Sequence, residues 1–558
     1  MVPLLLLLSA LPSALAAPAP PASAAAPYVG STLSAVFPPP GATITEYASL
    51  FPNASVVGFL GPTPTGAEAQ AIATAPVAAL RFDTYPLVAP SNQYTTSGPA
   101  FNLMHHWGNL GPAYSVGGAF GLPNTSPQVP AGCELEQVHL LFRHGARYPT
   151  SGSQPSEFAA LLHSAATERN SRLSFSGPLE FLSTWTYKLG AEILTPFGRK
   201  QCLDLGVAFR VKYGELLNGF TELPVFRTTS EGMSIRLLDR LNFAVGFFGA
   251  PEYLTAYHEE IIIESGGYNN TLAPSNACPD SGNAVGGNIG GWTSGNWTEI
   301  YLKETTARLQ QYVTGVQLTP SVVYGMQQMC AYETVALGYS SFCELFTEEE
   351  WRGFEYSIGE YHLSFWYGNG PGNPTAAAMG IGYVQELVAR LTKTLPTKFD
   401  TNMNGTLDSS TITFPLDQPI YADATHDTVI ASIITALNFT TLAANGPLPI
   451  DHIPVYQTYH VNEIAPFSSN LVAQVLSCPA SAAAYDSKTE SYIRFLLNDG
   501  AVPLTGIAHC ETPNEDGMCL FDNFVKGMQE RIAEVNYAYD CYASYSAPTP
   551  DNIIDGQV

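Results

Sequence analysis

Two places along the chain show a short apolar run breaking off into polar, chemistry-bearing residues. Val138 to Phe142 is led by a β-branched residue and stops at Arg143-His144-Gly145, with Tyr148-Pro149 just beyond. That pattern predicts a buried strand ending in a loop. The second place is residues 420 to 427, where Ile420-Tyr421-Ala422 leads into Ala424-Thr425-His426-Asp427. Val429, Ile430, Ile433, Ile434 and Leu437 then fall at helical spacing, so His426 and Asp427 are predicted at a strand-to-helix turn. Between these junctions, amphipathic helical stretches are read at Thr298 to Val313, after Thr347, and at Gly382 to Lys393. Thr347 and Glu350 have capping-box spacing, and Glu348, Glu349 and Glu350 read as a solvated helix start, not a metal site. Strands ending in loops and interleaved with helices predict an α/β fold: a mixed sheet flanked by helices, with an inserted smaller helical domain.

The same pass divides the chain. Residues 1–16 are an expected signal peptide, and 17–132 an N-terminal arm and wrapping segment. The arm is Ala/Pro/Ser/Gly-rich to about residue 45, and the segment after it is aromatic and turn-rich. Residues 133–545 carry the α/β lobe and the helical lobe, and 546–558 form a C-terminal tail. The opening apolar run is too short for a bilayer span of about 20 helical residues and ends in Ala14-Leu15-Ala16, a small-x-small pattern cleavable before Ala17. The expectation is a secreted protein, extracellular or held at the cell wall, with no membrane partner.

Composition sharpens that picture. Of 558 residues, 46% are hydrophobic and 13% charged, which suits a folded core, and the net charge of −25 repels polyanions and argues against a nucleic-acid partner. Six sequons, at Asn53, Asn124, Asn269, Asn296, Asn404 and Asn438, are candidate glycan acceptors. Nine cysteines suggest up to four disulfides and one leftover thiol. Cys510 with Cys519 and Cys330 with Cys343 are the preferred local pairs. Cys133, Cys278, Cys478 and Cys541 are further candidates of open connectivity, and Cys202, in a helical stretch, is the candidate free thiol.

The sharpest chemical signal is Arg143-His144-Gly145-Ala146-Arg147-Tyr148-Pro149. Two guanidinium groups beside an imidazole repel a metal but match phosphate oxygens, and a neutral imidazole is a competent nucleophile. Gly145 lets the backbone approach closely. The seven-residue string resembles the signature of the histidine acid phosphatases, the branch of the histidine phosphatase superfamily that includes fungal acid phosphatases and phytases. His426-Asp427 is similar to the family's second motif, Leu194-Thr195-Pro196-Phe197-Gly198 to its helix-start segment, and HWGNLGPAY to a segment of fungal members. The similarity runs from about Leu110 to Ala543.

The resemblance implies that His144 is the nucleophile, that Arg143, Arg147, Arg227 and His426 hold the phosphoryl oxygens, and that Asp427 protonates the leaving group. Nearby phosphate charge is expected to raise the Asp427 pKa and keep it protonated in acid. One departure touches Arg227: Thr228-Thr229-Ser230-Glu231 follows it and the next arginine is Arg236, which brings acid near the inferred pocket. Asp400, Asn402, Asn404 and Gly405 imitate the start of a calcium loop, but Thr411 stands where a bidentate Glu is needed, so no metal is expected there. His105-His106 and Asp451-His452 read as loop or packing pairs.

The expected activity is hydrolysis of small-molecule phosphate monoesters through a phosphohistidine, without a cofactor. A broad acid phosphatase and a phytase both fit, and the acidic net charge favours the broad enzyme. A phosphoglycerate-mutase-like phosphotransferase and a non-catalytic secreted glycoprotein are the rivals from other classes.

Overall fold

A computed structural model describes residues 101–168, 171–229, 236–282, 289–357, 373–444, 448–479, 489–512 and 514–546, with 47, 49–51, 553 and 555–557. The expected leader, the arm to residue 45, and Asn53 lie outside them.

The central strand, β1 (Glu134–Arg143), is partly open over its first four residues and buried over its last six. Val138, Leu140 and Phe142 face one layer of helices, and Leu141 faces the other. Burial on both faces explains why the sequence reads as a continuous apolar run there instead of an alternation. β2 (Ser174–Phe175) and β5 (Val313–Thr314) form a separate two-stranded sheet. In the main sheet, β6 (Ile420–Thr425), β3 (Val225–Thr229) and β4 (His258–Ile262) continue from β1 in parallel. On the other side β7 (Asn470–Pro479), β8 (Thr489–Leu497) and β10 (Cys519–Leu520) run antiparallel to their neighbours, so the sheet is mixed. β9 (Gly500–Val502) folds back on β8 through Asn498 and Asp499, both at positive φ, the conformation a two-residue hairpin needs and these residue types tolerate.

On one face the helices Pro196–Tyr213 and Arg236–Phe248 press together at Gly206 and Gly246, where an added Cβ would strike the other helix's backbone. Phe209, Phe243 and Phe247 then pack on Phe142 and Phe226 of the sheet. Helices Ala376–Leu391, Asp427–Ala436 and Phe521–Glu534 cover the other face. The inserted helical lobe lies between β1 and β6 in the chain and includes helices Gln154–Thr167, Ile289–Tyr301, Lys303–Gln310, Pro320–Leu337 and Glu348–Ser357.

The capping box is formed, with Glu350 N–H donating to Thr347 Oγ1 (3.3 Å) and Thr347 N–H to Glu350 Oε2 (2.8 Å). The stretch read as one helix over Thr298 to Val313 is instead two helices that meet at Leu302, followed by β5. The apolar period survives that break, but Val313 and Thr314 are drawn off to pair with Phe175 and Ser174. The helix expected at Gly382 to Lys393 starts earlier, at Ala376.

Four disulfides link Cys133 to Cys478, Cys278 to Cys541, Cys330 to Cys343 and Cys510 to Cys519, while Cys202 is buried and stands outside these bridges. The wrapping segment buries Trp107 and Leu110 in the main core. At the other end, Ile553 is buried and Gly556 O accepts from Ala377 N–H (3.1 Å), so described parts of the tail dock on the body. Among the sequons, Asn124 and Asn269 are exposed, and Asn296, Asn404 and Asn438 are half-buried. Among the described residues no helix is long and apolar enough to cross a membrane.

Candidate active site

Parallel pairing builds the site. Arg143, the last residue of β1, stands opposite Thr425, the last of β6, so both strands end at the same level. The next residues are His144 and His426, whose rings meet edge-on with centroids 5.8 Å apart. A crevice outside the carboxyl ends of parallel strands is where α/β sheets place ligands. His144 N–H donates to Thr425 O (3.2 Å), and Ser468 N–H donates to His144 O (2.9 Å), pinning the backbone of the nucleophile candidate from both sides.

The loop after His144 lies on the start of the helix Pro196–Tyr213. Thr195 caps that helix by accepting from Gly198 N–H (3.0 Å), and its own N–H donates to Ala146 O (2.9 Å). A Cβ on Gly145 or Gly198 would collide with the other segment's backbone. The two glycines therefore serve one close approach, and the Leu194 to Gly198 string is the other half of that loop's packing.

The imidazole of His144 is almost fully buried, and its Nδ1 lies 2.8 Å from Gly145 O. A carbonyl can only accept, so Nδ1 carries the hydrogen and Nε2 keeps its lone pair. Burial, and then the charges of Arg143, Arg147 and His426, hold this imidazole well below the usual histidine range, against the opposing pull of the Gly145 bond. That shift favours the neutral imidazole.

Arg143 is buried with Nη1 donating to Asn109 O and to Ala465 O (2.9 Å), and its guanidinium lies 4.4 Å from the centre of the Phe467 ring. Its Nη2 stands 2.7 Å from Asp427 Oδ2. Arg147 Nη1 donates to Tyr148 O (2.9 Å) and lies 3.8 Å from Glu192. His426 occupies the cap position of the helix Asp427–Ala436, so that helix's N-terminus faces the site and adds positive partial charge. His426 Nε2 is 3.4 Å from Glu264 Oε2, a carboxylate that also accepts from Thr229 Oγ1 (2.9 Å).

Asp427 Oδ1 accepts from Thr428 N–H (2.8 Å), and Oδ2 accepts from Asn109 Nδ2 (2.8 Å) as well as facing Arg143. Burial alone would raise this carboxyl. Arg143, the Asn109 amide, His426 and the Thr428 N–H outweigh that and hold it below the ordinary aspartate range. The expectation of a raised pKa therefore does not describe Asp427 while it is paired with Arg143.

Arg227 stands apart from the residues at the strand ends. It pairs across β3 and β6 with Asp423, two residues below the strand ends, and is fully buried. Its Nε donates to Asp423 Oδ1 (2.8 Å) and its Nη2 to Glu386 Oε2 (2.7 Å), while Arg390 Nη1 also binds Asp423 (2.7 Å). The guanidinium is paired with these carboxylates two residues below the strand ends, where Arg143 and Thr425 stand. Glu231 lies outside the described residues, and Arg236 opens the helix Arg236–Phe248.

Sequence reading missed Asn109 and Glu264. The signal for Asn109 was its place inside HWGNLGPAY, and that for Glu264 an acid closing the apolar run after His258. Of the other motifs, His105 stacks on Tyr114, His106 stacks on Phe101 and faces Glu355 at 3.7 Å, and Asp451 and His452 form an exposed pair. Asn402 donates to Met379 O and Asn404 caps a local turn.

Residues 134–498 match the histidine phosphatase superfamily (branch 2). The chain is 33% identical over 464 residues to phytase A of Aspergillus oryzae, covering 79% of this chain and 91% of the relative. It is 30% identical over 483 residues to phytase A of Neurospora crassa, covering 76% and 89%. The crystal structure of the phytase from D. castellii shares the fold, with a TM-score of 0.63 at 24% identity over 84% of this chain and 94% of that one. The multiple inositol polyphosphate phosphatase of Bifidobacterium longum, in complex with inositol hexasulfate, has a TM-score of 0.52 at 12% identity over 75% and 96%. With the Arg-His-Gly loop and the His-Asp turn brought together on such a sheet, the chain belongs to the histidine phosphatase superfamily, branch 2, and is a phosphoric monoester hydrolase.

Proposed function

We propose that the protein is a secreted acid phosphatase of the phytase type, which hydrolyses inositol hexakisphosphate and other phosphate monoesters through a phosphohistidine at His144 Nε2. The observation that carries the mechanism is the Nδ1–H bond of His144 to Gly145 O, which presents an unprotonated Nε2 beside two arginines. The substrate preference departs from the broad enzyme favoured by net charge. It is supported by relatives named phytase A that match over most of their length, whereas whole-chain charge weakens as an argument once carboxylates neutralise in acid.

In the first step Nε2 attacks phosphorus while Arg143, Arg147 and His426 hold the non-bridging oxygens. The P–O bond to the leaving group breaks as Asp427 gives that oxygen its proton. Asp427 is ionised while paired with Arg143, so the incoming phosphate must first draw Arg143 away. Losing that cation beside a dianion raises the carboxyl's pKa, and Asp427 takes up the proton it will donate. In the second step the Asp427 carboxylate removes a proton from water, the water oxygen bonds to phosphorus, and the N–P bond breaks to release phosphate and neutral His144.

Secretion is supported by the leader-like residues 1–16 and by four disulfides that suit an oxidising compartment. The division into leader, arm and wrapping segment, catalytic body and tail, and glycans on the sequons, belong to the same reading. The test is to trap radiolabelled phosphate on wild type and on His144→Ala, and to compare phosphate release from phytate and p-nitrophenyl phosphate. Label on both proteins would remove His144 as the phosphorylated residue, and label on neither would remove the covalent mechanism. Release from p-nitrophenyl phosphate alone would return the reading to a non-phytase monoesterase.

A further inference from the structure

Asp427 is held by groups from three separate parts of the chain. The Thr428 N–H reaches Oδ1 from its own helix, Arg143 reaches Oδ2 from the end of β1, and the third donor is Asn109, from the segment that wraps the body before β1. Asn109 is fully buried on a short turn between Trp107 and Gly111, and its main-chain oxygen accepts from Arg143 Nη1. One residue thus touches both members of the Arg143–Asp427 pair, the carboxyl through its side chain and the guanidinium through its backbone.

We propose that Asn109 is a positioning residue for proton donation, holding the Asp427 carboxyl in place when phosphate takes Arg143 from it. The inference rests on Asp427 being the proton donor. With Arg143 engaged by phosphate, Oδ2 keeps the Asn109 amide as a partner and Oδ1 keeps Thr428 N–H. The carboxyl is then fixed at both oxygens, and the acidic hydrogen is directed along the side of Oδ2 that Arg143 had occupied, toward the phosphate that now holds the arginine. Without Asn109, Oδ2 would lose its anchor at the moment the proton must be delivered.

The amide also biases titration. A donated hydrogen bond favours the ionised carboxylate, so Asn109 lowers the Asp427 pKa. Among the described residues, the other charged or titratable groups acting on Asp427 are Arg143 and His426, each in the same direction, while its burial acts in the opposite one. Removing the amide should therefore move the basic limb of the kcat/KM profile to higher pH.

The experiment measures kcat/KM against pH for full-length Asn109→Ala and wild type, using glycerol 2-phosphate, whose alkoxide needs a proton, and p-nitrophenyl phosphate, whose phenolate does not. The expected result is a loss about tenfold larger on glycerol 2-phosphate than on p-nitrophenyl phosphate, with the basic limb raised by about one pH unit. Asn109→Asp, which keeps the shape and replaces the donor by a second carboxyl, should show the same substrate selectivity and an upward shift. It carries the test if the alanine variant does not fold. Equal losses on both substrates, or an unmoved limb, would overturn the proposal. Asp427→Asn run in parallel separates the two levels: if it is selective for the alkyl phosphate and the Asn109 variants are not, the role of Asn109 fails alone. If Asp427→Asn is itself blind to the leaving group, the assignment of the proton donor fails and this inference falls with it.

Discussion

Nη2 of Arg143 and Oδ2 of Asp427 stand 2.7 Å apart, with both side chains almost wholly withdrawn from solvent. A buried pair of this kind is strained by the loss of either partner, because the remaining charge is left without compensation. In the mechanism proposed above the partner is exchanged, not lost: phosphate replaces the carboxylate at the arginine, and a proton replaces the arginine at the carboxyl. On that reading the pair couples binding of the substrate's charge to loading of the general acid.

The first prediction follows from that exchange. Asp427→Asn keeps the shape and the Thr428 contact but holds no transferable proton. For an alkyl phosphate, kcat/KM at acidic pH should fall within the ~10² to 10⁴-fold range of general acid catalysis, and for p-nitrophenyl phosphate much less. Similar losses on both substrates would make Asp427 a phosphate-orienting residue.

Arg147 should set the acid limb. Its charge helps to hold His144 below the usual histidine range, so Arg147→Ala should let the imidazole pKa rise. The acid limb of kcat/KM should then move to higher pH, on top of weaker phosphate binding. A weaker enzyme whose acid limb is unchanged would show that burial and Arg143 alone control the nucleophile.

The buried cluster beneath the site makes stability depend on pH. Burial, partly offset by Arg227, raises Glu260 from 4.5 to about 7, and burial raises Asp408 in the same direction, with Glu386 adding to it. In the folded state both prefer to be protonated, so the folded protein binds more protons than the unfolded chain above the ordinary carboxylate range. Stability should therefore be fully present in acid and fall as pH rises toward about 7 and beyond. Asp408→Asn, neutral at every pH, should flatten the decline of Tm between about pH 5 and about pH 8. An unchanged slope would discharge Asp408 from this role.

The disulfides should differ in weight with the loops they close. Cys510–Cys519 spans a sequence separation of 9 and Cys133–Cys478 one of 345. The chain-entropy argument gives roughly 2 to 3 kcal/mol for the short loop and roughly twice that for the long one. Paired Cys→Ser variants compared by denaturant unfolding would test the order, and a larger loss from the short bridge would reverse it.

The sequence by itself determined the local elements in which each residue's neighbours along the chain are its partners. Val138 to Phe142 read as a buried strand, the apolar spacing after Asp427 read as one helix face, and Thr347 with Glu350 read as a cap three residues long, and each formed where it was read. The Arg143 to Pro149 string announced phosphate chemistry for the same reason, since its charges and its imidazole are adjacent in the chain. What only the tertiary structure decided were the partners that arrive from elsewhere. Arg227 reads as one more phosphate cation until Asp423 from β6 and Glu386 from a separate helix close on it. Val313 and Thr314 read as the end of a helix until Phe175 and Ser174 pair with them. Asn109 carries no charge and no motif chemistry of its own, and it acquires a part in the site only because the wrapping segment sets its amide against Asp427. Periodicity records which face of an element is buried, whereas the identity of what lies against that face is set by chain crossings that no local window contains.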